Sequence, residues 1–149
     1  MSEKPAKGNT REAPRVNAVL ETCLYFEDLE RGADFYEELF GWKPMDGDSR
    51  LRAFGVAPGS VLLLFRRGAT VQPVSTPGGV IPPHDGVSGA HVAFAIPDAD
   101  WDGWLRRLEE HGIAVERIVN WPRGGRSLYF RDPEHNLVEL ATPGLWAVY

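Results

Sequence analysis

The sequence predicts an α+β fold of two tandem βαβββ modules that together build a half-open, barrel-like mixed sheet. Three observations lead there. A strand, a helix and a run of strands occur twice along the 149 residues. The two copies superpose at a nearly constant offset: a shift of 70 places Glu21 on His91 and Asp28 on Asp98, and a shift of 76 places Phe54 on Phe130 and Leu63 on Glu139. Finally, both copies interrupt apolar strands with a charged or imidazole side chain at equivalent places, which an internal repeat explains and chance patterning does not.

Residues 1–15, MSEKPAKGNTREAPR, are polar and aperiodic and carry two prolines, the composition of a disordered tail. The first module covers 16–66. Val16 to Phe26 alternates as a strand, with Ala18, Leu20, Thr22, Leu24 and Phe26 on one face and Val19, Glu21, Cys23 and Tyr25 on the other. Asp28 offers a helix N-cap, Phe35, Tyr36, Leu39 and Phe40 recur at helical spacing, and Gly41 suits a left-handed C-cap. Leu51 to Phe54 and Ser60 to Phe65 then read as strands around a turn. Residues 67–90 form a Gly/Pro-rich connecting loop, and loops of this length are linkers, lids or binding loops.

The second module covers 91–143. It opens with a strand from His91 to Ile96, and Asp98 or Asp100 caps a helix with the stripe Trp101, Trp104, Leu105 and Leu108, ended by Gly112. Ala114 to Val119 is a further strand, and Asn120 to Arg126 a loop. Ser127 to Ala141 is a hairpin turning at Asp132-Pro133-Glu134-His135-Asn136. Residues 144–149 are a short apolar tail expected to dock, so 16–143 make one domain.

Composition narrows the function classes. The 43% of hydrophobic residues suffice for a core. A net charge of −5 with scattered basic residues argues against a nucleic-acid partner. The single Cys23 rules out an intrachain disulfide and a Cys-rich metal framework. Without an apolar run of signal or membrane-span length, a cytoplasmic protein with no membrane partner is expected.

Glu139 is the anomaly in this pattern. It shares one strand face with Leu137 and Ala141, while Val138 and Leu140 take the other, and both faces look buried. A carboxylate there must be neutralised, paired or bound to a metal. The repeat supplies partners, because Glu21, His91 and Glu139 fill three of four equivalent positions with metal-ligand side chains, and Leu63 fills the fourth. Singly, an inward Glu pairs more often with an arginine and a strand His is more often a core residue. Small neighbours, Cys23, Ala93, Ala95 and Ala141, leave space beside the three.

The stretches LETCLYFEDLERGADFYEELFGW, AHVAFAIPDADWDGWLRRLEEHGI and SLYFRDPEHNLVELATP resemble the vicinal oxygen chelate superfamily, which includes glyoxalase I, fosfomycin-resistance enzymes, bleomycin-resistance proteins and extradiol dioxygenases. The resemblance spans roughly Val16 to Pro143. It implies a divalent metal (Mn²⁺, Fe²⁺, Ni²⁺ or Zn²⁺) held by Glu21, His91 and Glu139, with coordination positions open for substrate or water. The chain departs from glyoxalase I at Leu63, where a fourth ligand would stand. It departs from extradiol dioxygenases at Glu21, where they carry His.

The run SLYF is similar to the strand of fosfomycin-resistance enzymes whose Ser and Tyr touch substrate. Ser127 and Tyr129 are therefore substrate-binding candidates, with Tyr129 also a hydrogen-bond donor or acid. Trp121, Arg123 and Arg126 could form a stacking wall and anion clamp, or a solvated basic loop. Tyr25 is a candidate for the pocket wall, and His84 could close over the site or lie outside it. Cys23 is read as a packed thiol. The full basic pocket for a phosphonate has no counterpart, so fosfomycin is not the expected substrate.

The resemblance thus implies a metal-dependent enzyme acting on a small oxygenated substrate by lyase, isomerase, addition or dioxygenase chemistry. The alternative is a sequestering module of the bleomycin-resistance type. Members with two modules commonly pair, so a homodimer is expected, with Glu21 from one subunit and His91 and Glu139 from the other.

Overall fold

The computed structural model describes residues 12–149. The first module comprises β1 (Glu21–Phe26), α1 (Leu29–Phe40), β2 (Pro44–Gly47), β3 (Leu51–Ala57) and β4 (Ser60–Arg66). A small hairpin follows, β5 (Val74–Thr76) and β6 (Gly79–Ile81). The second module comprises β7 (His91–Ala95), a 3₁₀ turn at Asp98–Asp100, α2 (Trp101–Glu110), β8 (Arg117–Asn120), β9 (Arg126–Arg131) and β10 (Leu137–Ala141). Each module is an open four-stranded mixed sheet, ordered β1-β4-β3-β2 and β7-β10-β9-β8. Among the described residues no strand of one sheet is hydrogen-bonded to a strand of the other.

The strand registers carry the repeat down to single residues. Cys23 lies beside Leu63 and Ala53 opposite Leu63 in the first sheet; Ala93 lies beside Glu139 and Tyr129 opposite Glu139 in the second. Leu63 and Glu139 therefore occupy the same place in the two modules.

One face of each sheet is apolar, and together with both helices these faces make a single core. Leu24, Phe26, Phe54, Leu62 and Leu64 come from the first sheet and Val92, Leu128, Phe130, Val138 and Leu140 from the second. Leu29, Ala33, Tyr36 and Leu39 of α1 and Leu108 of α2 lie between them. The helix ends follow their caps. Asp28 accepts from the Arg31 amide at 3.1 Å, and Gly41 stops α1 with φ 70°. Gly32 lets α1 approach β1, because a Cβ there would stand 2.5 Å from the Phe26 ring. Arg107 of α2 donates to the Leu39 and Glu38 carbonyls, satisfying acceptors that the end of α1 leaves open.

Several elements differ from expectation. β1 begins at Glu21, and residues 12–20 have no regular structure, with Val16, Val19 and Leu20 exposed. Among the described residues the only strand beside β1 is β4, which begins at Ser60, and its pairing reaches back no further than the Leu20 carbonyl, which accepts from the Val61 amide at 2.9 Å. The last strand before the hairpin is Arg117–Asn120 and starts three residues late. Neither Asp98 nor Asp100 caps α2 through its side chain; Asp98 instead accepts from Arg126 at 2.8 Å. The 67–90 loop contains the β5–β6 hairpin. The tail docks through Tyr149, whose hydroxyl donates to Ala141 O at 2.8 Å, while Trp146 is exposed.

Candidate metal centre

On β10 the alternation turns Val138 and Leu140 into the core and Glu139 onto the opposite face, between Ala93 of β7 and Tyr129 of β9. Glu139 is only 5% exposed, and its two oxygens have different neighbours. Oε2 accepts a hydrogen bond from Ser127 Oγ at 2.6 Å. Ser127 is fully buried and in turn accepts from Trp121 Nε1 at 2.8 Å. This relay holds the carboxylate in one orientation. Oε1 lies 3.2 Å from His91 Nε2.

The histidine's other nitrogen decides what that contact means. His91 Nδ1 is 2.9 Å from the Leu137 carbonyl, which can only accept, so Nδ1 carries a proton. In the neutral ring Nε2 then points a lone pair at a carboxylate oxygen. Two acceptors at 3.2 Å need a cation: a proton on the ring, or a metal ion bound by both. Ligand atoms each about 2.1 Å from a metal and at right angles stand about 3.0 Å apart, so the observed spacing fits a shared divalent ion. A carbonyl on the far nitrogen of a ligating imidazole is the usual outer support. The donor set suits Mn²⁺, Fe²⁺, Ni²⁺ or Zn²⁺. Because Ser127 orients Glu139, Ser127→Ala is expected to weaken metal affinity roughly 10–100-fold with the fold retained. Titration of the chelator-treated chain with Zn²⁺ or Mn²⁺ checks it, and unchanged affinity would remove the relay.

Glu21 is not with these two. Among the described residues no three His, Cys, Asp or Glu side chains converge within the chain. The reason is the fold: both sheets turn their apolar faces to one core, so the faces carrying Glu21 and His91 both point away from it. Tyr129 flanks the pair, its ring 6.3 Å from the His91 ring. Partial burial, then the charge of Glu139, push its phenol above the ordinary value, so at neutral pH it is a donor.

Arg126 is not brought to this face. It alternates with Ser127 on β9, and its guanidinium lies 4.4 Å over the Trp101 ring and bonds Asp98. Arg123 sits exposed in the preceding turn. Cys23 is exposed beside Glu21, and burial of its sulfur followed by the Glu21 charge raises its pKa, which disfavours the thiolate.

Tyr25 lies on the Glu21 face and is covered by the long loop. Its hydroxyl is 2.5 Å from His84 Nδ1, and the His84 ring stands edge-on to Phe65 at 4.8 Å. Gly86 permits this approach, since a Cβ there would lie 2.1 Å from the Tyr25 ring. Gly86→Val is expected to lift the loop at a cost of about 1–3 kcal/mol. Faster proteolysis within 67–90 would show it, and a wild-type digestion pattern would contradict it. Under the loop is a cavity of about 260 Å³ lined by Glu21, Arg50, Leu63, Phe65, Val74 and Ile81 among others. Arg50 was not singled out from the sequence, because only the folded loop turns that stretch of sheet into a cavity.

Two βαβββ modules whose open sheet faces carry ligand-type side chains define a class of small α+β proteins. Residues 16–140 match the Glyoxalase/Bleomycin resistance protein/Dioxygenase superfamily, and the chain belongs to it. A lactoylglutathione lyase structure from Agrobacterium tumefaciens is 32% identical with a TM-score of 0.81, covering 90% of this chain and 99% of that one. The metallothiol transferase FosB of Shouchella clausii is 25% identical over 129 residues, 85% of this chain and 81% of its own. The fosfomycin resistance protein FosX of Mesorhizobium loti is 25% identical with a TM-score of 0.59, over 86% of this chain and 93% of its own. No helix among the described residues is long and apolar enough to cross a membrane.

Proposed function

We propose that the chain is a divalent-metal-dependent enzyme that chelates a small substrate through vicinal oxygens, working as a cytoplasmic homodimer. One chain supplies His91 and Glu139 to each site and its partner supplies Glu21. The observation that carries the reading is the His91–Glu139 pair, with Nε2 and Oε1 3.2 Å apart and Nδ1 turned to the Leu137 carbonyl. The separation of Glu21 from that pair within one chain is what a shared site requires, and the edge strands β1 and β7, which have no second strand neighbour among the described residues, are available for pairing with a second copy.

A bound divalent ion would act as a Lewis acid on substrate oxygens and stabilise an enolate, alkoxide or oxyanion. The chain's own residues do the rest. Trp121 and Ser127 hold Glu139 in its ligating orientation. Tyr129 stays protonated beside His91 and donates a hydrogen bond, or a proton, to the substrate oxygen where charge develops. Names among the relatives, a lyase and a metallothiol transferase, are compatible with either elimination or addition chemistry at such a centre.

Elemental analysis of protein purified without chelator or affinity metal tests the reading, together with light scattering. About one Mn, Fe, Ni or Zn per chain and roughly twice the 16.6 kDa chain mass are expected. No metal, and no thermal shift on adding any of the four, would leave the sequestering module as the better account.

A further inference from the structure

The cavity over the first sheet has a direction. Glu21 pairs in register with Val61 at the start of β4, whereas Arg50 immediately precedes Leu51, which pairs with Phe65 near the end of β4. Four residues of strand separate these ends, about 13 Å. The floor between them is Leu63 and Phe65, and Val74, Ile81 and Pro82 supply an apolar roof. His84 belongs to the Arg50 end, since its ring is against Phe65 and Tyr25, and Tyr25 is the register partner of Phe65.

Polar groups gather at that end. The Tyr25 hydroxyl and His84 Nδ1 share a hydrogen bond at 2.5 Å, and His84 Nε2 is the second polar atom of that ring. Arg50 touches Asp48 through a single 3.2 Å contact at the surface, which leaves most of its N–H groups uncommitted. The opposite end carries the carboxylate of Glu21. A ligand lying along the cavity therefore meets the Arg50 guanidinium, whose charge Asp48 partly offsets, then an apolar wall, then an acidic metal-ligand position.

We propose that this cavity recognises the far end of the substrate, and that the substrate is a compact hydrophobic monoanion whose carboxylate or similar acidic group sits at Arg50 and His84. Its remaining oxygens lie toward Glu21. In the metal-free chain a second acidic group at that end is disfavoured by the Glu21 charge. The volume of about 260 Å³ is below the roughly 300–1,000 Å³ of pockets for drug-sized ligands, which limits the body to one ring or a short branched chain. The inference rests on the proposed function only for the word substrate, because the pocket is formed by one chain and needs no metal.

Isothermal titration of the full-length, chelator-treated chain with three matched probes tests it: phenylacetate, 2-phenylethanol and phenethylamine. Phenylacetate is expected to bind at least about tenfold tighter than the other two, the margin of one charge-assisted hydrogen bond. Arg50→Gln, at a half-exposed turn, should remove that preference and leave the alcohol unaffected. Val74→Trp should fill the cavity and remove binding of all three. Equal affinity for the three probes, binding of none, or wild-type preference in Arg50→Gln would each overturn the proposal. The same titration in Glu139→Ala separates it from the metal reading. Phenylacetate binding retained in Glu139→Ala shows that the pocket does not depend on the metal ligands, and the same binding by a wild-type chain that takes up none of the four metals keeps the pocket and drops the enzyme. A metal-loaded chain indifferent to probe charge does the reverse.

Discussion

Mixing Glu21→Ala chains with Glu139→Ala chains is expected to restore a metal site that neither variant has alone. If each site takes Glu21 from one subunit and His91 with Glu139 from the other, both homodimers lack a carboxylate in every site. A heterodimer combines the intact Glu21 of one chain with the intact Glu139 of its partner in one site and leaves the second doubly broken. With random exchange half the dimers are mixed, so metal content should recover to about a quarter of the wild-type value. The structure motivates the experiment because Glu21 and the His91–Glu139 pair stand on faces that both point away from a common core. A site contained in one chain would recover nothing on mixing. Dialysis against Zn²⁺ or Mn²⁺ followed by elemental analysis reads either result, and circular dichroism on each variant shows whether the fold has survived.

Strand parity made much of this legible in advance. Once Glu139 was placed on the face opposite Val138 and Leu140, period 2 put it among Tyr129, Ser127, Ala93 and His91. The registers show those neighbours. The same rule sends Arg126 to the other face, where it meets Trp101 and Asp98. A loop ending at Arg126 leaves its side chain free to face the site, whereas β9 begins at Arg126 itself and strand alternation fixes it on the other face.

What was not legible depends on contacts distant in sequence. β2, Pro44–Gly47, has four exposed residues and no β-branched side chain, so only its pairing with β3 makes it a strand. The three-residue strands β5 and β6 lie in a Gly/Pro-rich loop without apolar alternation. Arg50 gained its importance only when that loop folded over Phe65 and Tyr25. That a single chain leaves Glu21 apart from His91 follows from the way both sheets share one core, which the repeat alone did not specify.

Asp132→Ala is expected to be the most destabilising substitution outside the apolar core, at about 3–4 kcal/mol. Asp132 is 4% exposed and accepts four hydrogen bonds: from Tyr36 Oη at 2.9 Å, the Glu134 amide at 2.9 Å, the Asn136 amide at 3.0 Å and Asn136 Nδ2 at 2.9 Å. These contacts join α1 to the β9–β10 turn, and they hold His135 in a left-handed conformation, φ 61°, that a residue with a side chain rarely adopts. Fully buried Asn136 passes the constraint on, because its Oδ1 accepts from the Ala90 amide just before His91. Removing the carboxylate strands the donors of Tyr36 and Asn136 in the interior, and a melting temperature lower by about 6–15 °C should follow. Tyr36→Phe removes one donor and costs less, about 1–2 kcal/mol.

The tyrosine variant also carries a pH signature. Burial first, then the charge and hydrogen bond of Asp132, hold the Tyr36 phenol well above its ordinary value of 10.0. Above that value the unfolded chain gives up the proton that the folded chain keeps. The stability this represents is therefore complete below pH 10 and declines as the pH rises beyond it. Urea denaturation at mildly and strongly alkaline pH should show a steeper loss in the wild type than in Tyr36→Phe. Parallel losses would mean that the Tyr36 phenol is not held above its ordinary value in the folded protein, and the contribution of its hydrogen bond to the effect expected of Asp132→Ala would lose its support.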